Sequence, residues 1–270
     1  MKKTLAALLA LCLALCLALC LSACAAPQED TTLVVGASPA PHAEILEFVK
    51  PMLAEQGIDL QIEEFTDYVL PNQALESGDL DANYFQHLPY LLNYNESTGA
   101  TLVSAGSIHF EPLGIYAGKS QDLSSIPDGA VIAVPNDATN EARALQLLAA
   151  QGLITLPEGA GLNVTARDVV DNPHNIEFLE IAAEQVPRTL QDVDFAVANG
   201  NYAVEAGILD KVLVTEDASS EGAQTYPNVI AVREGDEDRE DIQALVAALK
   251  SEETRAFIEE TYGASVVPVE

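Results

Sequence analysis

The sequence predicts an α/β protein in which short buried strands alternate with helices. Apolar runs of strand length are followed by stretches with apolar residues at three- and four-residue spacings. The same alternation starts again after a turn-rich gap at residues 119–129, which indicates two lobes. Alternating strands and helices are typical of layered folds with largely parallel sheets, in which ligands lie beyond the carboxyl ends of the strands.

Composition fits a globular protein of this class and argues against two kinds of partner. The chain has 270 residues, a hydrophobic fraction of 49%, and 12 Lys+Arg against 42 Asp+Glu, which gives a net charge of −30. No nucleic-acid partner is expected, because phosphate binding needs clustered Lys and Arg. Docking to anionic lipid headgroups is disfavoured for the same reason. A chain of this length can be stabilised by core burial without disulfides.

The first 23 residues are typical of the signal peptide of an exported lipoprotein. A cationic start is followed by an unbroken run of Leu, Ala and Cys from Leu5 to Leu21. As a helix this run would be roughly 26 Å long, a little short for a bilayer core of about 30 Å. Residues 21–24, Leu-Ser-Ala-Cys, resemble the lipobox, whose cysteine carries lipid. We therefore expect a signal peptide at 1–23, an acylated (palmitate-bearing) Cys24 and a tether at 24–31; a permanent membrane helix is the alternative.

The elements of the mature chain follow from its apolar periodicity. Strands are expected at residues 33–36, 60–62, 102–106, 113–116, 131–134, 176–181, 195–197 and 229–232. Helices are expected at residues 45–53, 74–78, 88–94, 140–152, 190–193, 202–207 and 242–262. Gly57 ends the first helix, and side-chain oxygens at 136–140 can cap the helix that starts near Asn140.

The sequence contains no motif for nucleophilic catalysis or phosphate binding. G-x-S-x-G, the P-loop, G-x-G-x-x-G and H-E-x-x-H are all absent, so no enzyme is expected. The four cysteines all lie in the first 24 residues, and the mature chain keeps only Cys24. The four histidines, at positions 42, 87, 109 and 174, form no short ligand pair. Zinc capture would require their proximity in three dimensions, and we expect no metal and no cofactor.

Polar and aromatic segments fall near the ends of the predicted strands. They cover residues 65–72, 79–87, 109–116, 134–143 and 197–203. Together they supply what a pocket for a small zwitterion with an apolar tail requires: aromatic walls, amides for both ends, and a guanidinium that can bind a carboxylate bidentately. Arg143 is the single cation in these segments.

At these segments the sequence resembles the methionine-binding lipoproteins of bacterial ABC importers. The motifs F-x-D-Y-V-x-P-N-x-A-L, D-x-D-A-N-x-F-Q-H, V-P-N-D-x-T-N-x-x-R and N-x-N-Y-A occur in order, and the resemblance runs from about Thr32 to the C-terminus. It implies a two-lobed periplasmic-binding-protein fold of type II, with mixed sheets flanked by helices and a ligand cleft between the lobes. Residues 32–117 and 228–270 would form lobe 1, and residues 118–227 would form lobe 2.

The resemblance also implies a set of ligand-binding residues. They are Tyr68, Asn83, Phe85, His87, Glu111, Asn140, Arg143 and Asn199. Tyr68, Phe85 and His87 would wall the side chain, with Asn83 in support, and Asn140 and Asn199 would serve the amino-acid end. There Arg143 would hold the α-carboxylate and Glu111 would approach the ammonium. The residues by themselves leave ordinary core packing open for Tyr68 and Phe85, and a structural role open for His87.

The implied function is that of an extracytoplasmic, lipid-anchored monomer at the cell membrane. It would bind methionine, L- and possibly D-, and deliver it to an ABC permease and its ATPase. Glu141 and Ala198 depart from the residues usual in relatives, so another small apolar amino acid or a short peptide stays an alternative. A surface lipoprotein used for adhesion or scaffolding is the rival from another class, and it predicts no ligand. A hydrolase on the same scaffold would lack its nucleophile motif.

Overall fold

The structure is a computed structural model that describes residues 31–217 and 224–269. The signal peptide expected at residues 1–23, the lipid-bearing Cys24 and the tether as far as residue 30 lie outside the described residues. In the described ranges, no helix combines the length and the apolar character that crossing a membrane requires.

Strands and helices alternate along the described chain, as the sequence predicts. The strands are β1 (Thr31–Ala37), β2 (Ile58–Glu64), β3 (Ala82–His87), β4 (Leu102–Phe110), β5 (Gly114–Ala117), β6 (Val131–Pro135), β7 (Glu177–Ile181), β8 (Phe195–Ala198), β9 (Val212–Thr215), β10 (Pro227–Arg233) and β11 (Val267–Pro268). The helices are α1 (Glu44–Ala54), α2 (Leu70–Ser77), α3 (Leu88–Thr98), α4 (Ala138–Ala150), α5 (Gly200–Glu205), α6 (Glu240–Leu249) and α7 (Glu252–Tyr262).

The strands form two sheets, which confirms the two-sheet α/β architecture. The six-stranded sheet has the order β11-β4-β10-β3-β1-β2, and the five-stranded sheet has the order β7-β6-β8-β5-β9. Parallel pairs join β1 to β3, β6 to β7 and β6 to β8. The pairs made by β10 with β3 and β4, by β11 with β4, and by β5 with β8 and β9 are antiparallel. The expectation of largely parallel sheets is therefore wrong, because β5 and β10 each enter a sheet against its main direction.

The chain passes between the sheets at two crossovers. Residues 111–113 link β4 to β5, and a segment that begins at Glu216 links β9 to β10. The sequence assigns residues 32–117 to lobe 1, but β5 pairs with β8 and β9 in the five-stranded sheet. The first crossover therefore precedes β5 instead of following it. The division into lobes otherwise stays a prediction.

Each sheet has its own apolar core. Against the six-stranded sheet, α1 buries Ile45, Leu46, Val49 and Leu53. Val49 lies three or four residues from each of the other three, so all four share one helix face. In the five-stranded sheet, α4 packs Leu145 and Leu148 against β6 and β8. The described residues form four apolar clusters, two on each sheet, and the region between the sheets is left for a cavity.

The chain departs from the predicted elements in several places. Strands β9 and β11 were not predicted, and the one helix expected at 242–262 is two helices, α6 and α7. The sequence gives no strand at residues 82–87, but β3 lies there with every residue buried. Its polar residues hid the strand pattern, because β3 lies between β1 and β10 and its Asn and Gln side chains hydrogen-bond inside the protein. The helix expected at 190–193 is wrong: these residues form a turn after a 3-10 helix at Ala183–Thr189, which contains Pro187.

Candidate ligand-binding site

A small cavity lies where the carboxyl ends of β3, β4, β6 and β8 face each other. About 330 Å³ of space there is free of protein atoms, part of it open to solvent. Seven of the eight predicted site residues line it: Tyr68, Phe85, His87, Glu111, Asn140, Arg143 and Asn199. The sequence did not single out five further lining residues, which are Gln86, Tyr90, Gly200, Asn201 and Asn228.

The eighth predicted residue, Asn83, lies behind the wall of the cavity. Its Nδ2 donates to the carbonyl of Pro71 (3.2 Å) and to Oδ1 of Asn72 (2.8 Å). Its Oδ1 accepts from Nε2 of Gln86 (2.9 Å), and Gln86 lines the cavity. Asn83 therefore fixes a wall residue and does not itself reach the cavity.

One end of the cavity is a cluster of aromatic rings. The ring of Tyr68 lies 5.8 Å from Phe85, 5.8 Å from Tyr90 and 4.8 Å from Tyr202, measured between centroids. The Tyr68 hydroxyl donates to Oδ1 of Asn201 (2.5 Å), which connects the two sides of the cavity. Burial, followed by nearby Tyr202 and carboxylates, raises the pKa of Tyr68, so this hydroxyl stays protonated. The cluster offers an apolar wall that holds its shape through ring contacts.

His87 joins this aromatic end to the amides of the five-stranded side. Its Nδ1 accepts the backbone N–H of Tyr90 (3.2 Å) and so caps α3. The proton therefore lies on Nε2, which donates to Oδ1 of Asn140 (3.1 Å). Burial and the positive charge of Arg143 lower the pKa of His87 to about 3, so the ring is neutral.

The amide of Asn140 is held on every side. Both donors of its Nδ2 go to the carboxylate of Asp137 (2.9 and 3.0 Å), which also caps α4 through the backbone N–H of Asn140. Its Oδ1 accepts from Nδ2 of Asn199 (2.8 Å) as well as from His87. The Oδ1 of Asn199 is buried and has no hydrogen-bond partner among the described residues, and the same holds for Nδ2 of Asn201. Both amides therefore present an unused polar atom at the cavity.

Arg143 is already paired. Its Nε and Nη2 donate to the two carboxylate oxygens of Glu216 (2.8 and 2.5 Å), and Nη2 also donates to the carbonyl of Glu111 (2.8 Å). The guanidinium lies over the ring of Tyr226, 4.4 Å from its centroid. From the sequence we expect this guanidinium to bind a ligand carboxylate bidentately, and this stays a prediction. In the structure an internal carboxylate occupies the bidentate edge, and only Nη1 makes no hydrogen bond to a described residue.

Glu111 lies in the first crossover with two histidines against it. Its Oε1 accepts from Nε2 of His109 (2.7 Å) and lies 3.4 Å from Nε2 of His42. Burial would raise the pKa of Glu111, but His42, the bond from His109 and the backbone N–H of Asn201 outweigh burial and leave that pKa below its ordinary value. Burial lowers the pKa of His42 to about 4 despite Glu111. The result is a buried carboxylate with two imidazoles against it, and the ring of His42 is neutral.

The same three residues are the group of described side chains that could hold a metal ion. Their candidate ligand atoms lie within 4.8 Å of one another. However, both nitrogens of His109 already have partners, since Nδ1 contacts the hydroxyl of Tyr84 and Nε2 contacts Glu111. The Nε2 of His42 lies 3.1 Å from Oδ1 of Asn228, a cavity residue. Because every close neighbour of that nitrogen is an acceptor, it carries a proton and is not available to a metal.

Some of these residues could have been found from sequence and others could not. Gln86 and Asn201 lie inside motifs that the sequence analysis quotes, next to residues that it chose. Asn228 and Glu216 lie in no motif, and their partners His42 and Arg143 are 186 and 73 positions away along the chain. Only the pairing of β10 between β3 and β4 brings Asn228 to the cavity.

Comparison with known proteins identifies the relatives of this chain. The sequence profile of the NlpA lipoprotein family matches residues 33–270. Membrane lipoprotein TpN32 of Treponema pallidum is 42% identical over 244 residues, 89% of each chain. Methionine-binding lipoprotein MetQ of Bacillus subtilis is 39% identical over 241 residues, 88% of each chain.

Solved structures agree with this family and with the fold. A lipoprotein from Ruminococcus gnavus is 53% identical with a TM-score of 0.87, over 89% of this chain and 100% of that one. An ABC transporter periplasmic substrate-binding protein from Coxiella burnetii is 39% identical (TM-score 0.82; 88% and 100%). A nutrient-binding protein from Burkholderia cenocepacia bound to methionine is 41% identical (TM-score 0.83; 88% and 100%). The chain has the fold of a periplasmic substrate-binding protein, and it belongs to the NlpA lipoprotein family.

Proposed function

We propose that this protein binds methionine, as the L- or the D-isomer, in the cavity between its two sheets and delivers it to an ABC importer. The observation that carries the proposal is the division of the cavity into an aromatic end and a charged end. Tyr68 and Phe85 supply the first, and Glu111 and Arg143 supply the second. A small amino acid with an apolar tail has the same division. The names of the relatives, which include a methionine-binding lipoprotein, support the choice of ligand.

Each end has a partner for one part of the ligand. The tail would lie against the rings of Tyr68 and Phe85, with His87 at their edge. The ammonium would lie at Glu111, where the unused Oδ1 of Asn199 can also accept from it. The carboxylate would be bound by Nη1 of Arg143. Asn140 has no donor left and would act by holding His87 and Asn199 in place.

Small molecules released from the purified protein test the ligand class. The protein lacking residues 1–24 would be denatured and the supernatant examined by mass spectrometry, and refolded protein would then be titrated with methionine by calorimetry. We expect recovered methionine and one-to-one binding. A protein that stays empty after exposure to all amino acids would reject the proposal and favour the adhesion or scaffold role. Recovery of another small apolar amino acid or of a short peptide would keep the binding function and change its ligand.

The anchor and the partners belong to the same proposal. A lipid on Cys24 would hold the protein, as a monomer, on the extracytoplasmic side of the cell membrane, where a permease with its ATPase takes up the ligand. The relative named a membrane lipoprotein supports the location, and the one named an ABC transporter substrate-binding protein supports the importer. Cys24→Ala should release the protein from the membrane fraction, and export with continued sedimentation in that fraction would reject the anchor.

A further inference from the structure

We propose that Glu216 sets the selectivity of the cavity, so that the cavity discriminates more strongly for a protonated α-amine than for an ionised carboxylate. The inference rests on the proposed function, since it concerns which amino-acid-like ligands the same cavity accepts. It adds a ligand class to methionine itself: α-amines with an apolar tail and a neutral carboxyl derivative, such as amino-acid amides.

The first step is the state of Arg143. Glu216 binds the Nε and Nη2 edge of this guanidinium at 2.8 and 2.5 Å, the geometry with which an arginine binds a ligand carboxylate most strongly. A ligand carboxylate can therefore reach only Nη1. It also meets a positive charge that is already neutralised by a carboxylate in contact with it.

The second step is that Glu216 is fixed in this position. Its Oε2 also accepts the backbone N–H of Leu113 (2.9 Å), which lies in the first crossover. The side chain of Glu216 is 13% exposed, and Tyr226 covers a face of the guanidinium that it binds. Glu216 is thus built into the site and cannot be displaced without breaking a backbone hydrogen bond.

The third step is the charge balance at the cavity. Among the residues that line it, Glu111 and Arg143 carry charge, since the pKa of His87 is lowered to about 3. Arg143 is paired with Glu216. The carboxylate of Glu111 contacts His109 and His42, whose pKa burial lowers to about 4, and no described Lys or Arg side chain pairs with it. Arg143 is thus compensated by Glu216, whereas the buried carboxylate of Glu111 has no such partner of fixed charge.

These steps predict different costs for changing the two ends of the ligand. Replacing the ammonium leaves Glu111 without the cation that would compensate its charge, in surroundings where burial makes that loss large. Neutralising the carboxylate removes an interaction with a guanidinium whose charge Glu216 already balances. It also relieves repulsion between the ligand carboxylate and the two glutamates.

Two methionine analogues of nearly equal size measure the contributions of the ammonium and of the carboxylate to affinity separately. Calorimetry would compare methionine with methioninamide, in which the carboxylate is neutral, and with the α-hydroxy acid analogue, in which a hydroxyl replaces the ammonium. The titrations would be done at pH about 6, where the α-amine of the amide is protonated. For the unaltered protein we expect a loss of about tenfold or less for methioninamide and of more than about thirtyfold for the hydroxy acid. A hydroxy acid that binds as well as or better than methioninamide would overturn the inference.

A substitution then assigns the effect to Glu216. Glu216→Gln keeps an acceptor for the N–H of Leu113 and removes the charge that neutralises Arg143. It should shift the affinity ratio of methionine to methioninamide by about tenfold in favour of methionine. Glu177→Gln, which removes an exposed negative charge from β7 in the same sheet, should leave the ratio unchanged. Equal ratios in the two variants, with both shown to be folded by circular dichroism, would also overturn the inference.

Failure of the inference and failure of the proposed function give different results. If no methionine binds, the proposed function fails. If methionine binds but the hydroxy acid is favoured over the amide, the function stands and only the role of Glu216 is rejected.

Discussion

The two sides of the cavity are built on different principles. On the six-stranded side, Tyr68, Phe85 and Tyr90 contact one another through their rings, and His87 is held by a backbone N–H and an amide. On the five-stranded side, Asn140 is fully hydrogen-bonded, but its neighbour Asn199 has a buried oxygen with no partner in the part of the chain that the structure describes. The polar atoms of Tyr68, Tyr90 and His87 all have partners, whereas a ligand can supply the partner that the described residues do not give Asn199.

This difference gives the two sides different roles: one fits the shape of the ligand tail, and the other recognises the polar groups of the ligand. Ring contacts give the six-stranded side a fixed apolar wall that would accept any tail of suitable size. Unsatisfied buried polar atoms are costly, so the five-stranded side gains most from a ligand that satisfies them. We therefore expect changes on the polar side to have the larger effects on affinity and changes on the aromatic side to have the smaller ones.

The largest effect is expected for Arg143→Ala. The substitution removes the donor for the ligand carboxylate and leaves Glu216 unpaired beside it, so methionine affinity should fall by about 2–5 kcal/mol in calorimetry. The double variant Arg143→Ala, Glu216→Gln should recover at least half of that loss, because the repelling charge is gone. Arg167→Ala, at an exposed position on the same side, should bind as the unaltered protein does. Unaltered affinity in Arg143→Ala would reject the role of this residue.

The two sides should also respond to pH in opposite directions. His42 and His87, on the six-stranded side, have pKa values lowered from 6.5 to about 4 and about 3 by burial. The unfolded chain binds these protons first, so the free energy of unfolding falls as pH drops below about 6.5, by roughly 2 kcal/mol for each histidine at pH 5. Burial and Glu180 raise the pKa of Glu141, on the five-stranded side, to about 7, so its contribution to stability is lost as pH rises.

Denaturant titrations at pH 7 and pH 5 measure the sum of these contributions. The histidines outweigh the single glutamate, so we expect a net loss of roughly 2 kcal/mol at the lower pH. His87→Gln should reduce that loss, and His174→Gln, at a position away from the cavity, should not. A loss that is the same in both variants would show that His87 does not stay neutral in the folded protein.

A moderate effect is expected for Phe85→Leu on the aromatic side. The side chain is 2% exposed, and leucine fills most of its volume but removes the ring contacts with Tyr68 and Tyr90. Methionine affinity should fall by about 1 kcal/mol, and the preference between methioninamide and the hydroxy acid should not change. Phe178→Leu on β7 is the matched control. A changed preference between the analogues would contradict the separation of the two sides.

The smallest effect is expected for Tyr68→Phe. The substitution keeps the ring and removes the hydroxyl that donates to Asn201 across the cavity. Affinity should fall by about 0.5–1.5 kcal/mol, the usual range for one hydrogen bond. Tyr94→Phe removes a hydroxyl that donates to Glu76 at an exposed site and should not change affinity. If the two variants bind equally, the bond between the sides does not contribute.

The sequence predicted the residues that line the cavity better than the residues that bind and position them. Tyr68, Phe85, His87, Asn140, Arg143 and Asn199 lie in short segments next to strand ends, where local pattern and topology point to the same place. The partner of Arg143 could not be predicted, since Glu216 lies 73 positions along the chain and its place depends on the antiparallel pairing of β9 with β5. The strand β3 was missed because hydrogen-bonded polar side chains replace the apolar pattern that a buried strand ordinarily shows.

The position of Glu216 bears on how the two sheets can move relative to each other, as well as on the charge of the cavity. Glu216 lies at the start of the second crossover, and its carboxylate accepts the backbone N–H of Leu113 in the first. One side chain therefore links the two crossovers that connect the sheets. If the two sheets rotate apart about these crossovers, residues near the Glu216–Leu113 hydrogen bond move least and residues far from it move most. The charged end of the cavity lies next to the two crossovers, which would act as the axis of this motion. The hydrogen bond from Tyr68 to Asn201 joins the two sides and would break as the sheets separate. In such a motion the charged groups of a ligand would keep their contacts near the axis of rotation after its apolar tail has lost contact with the aromatic rings.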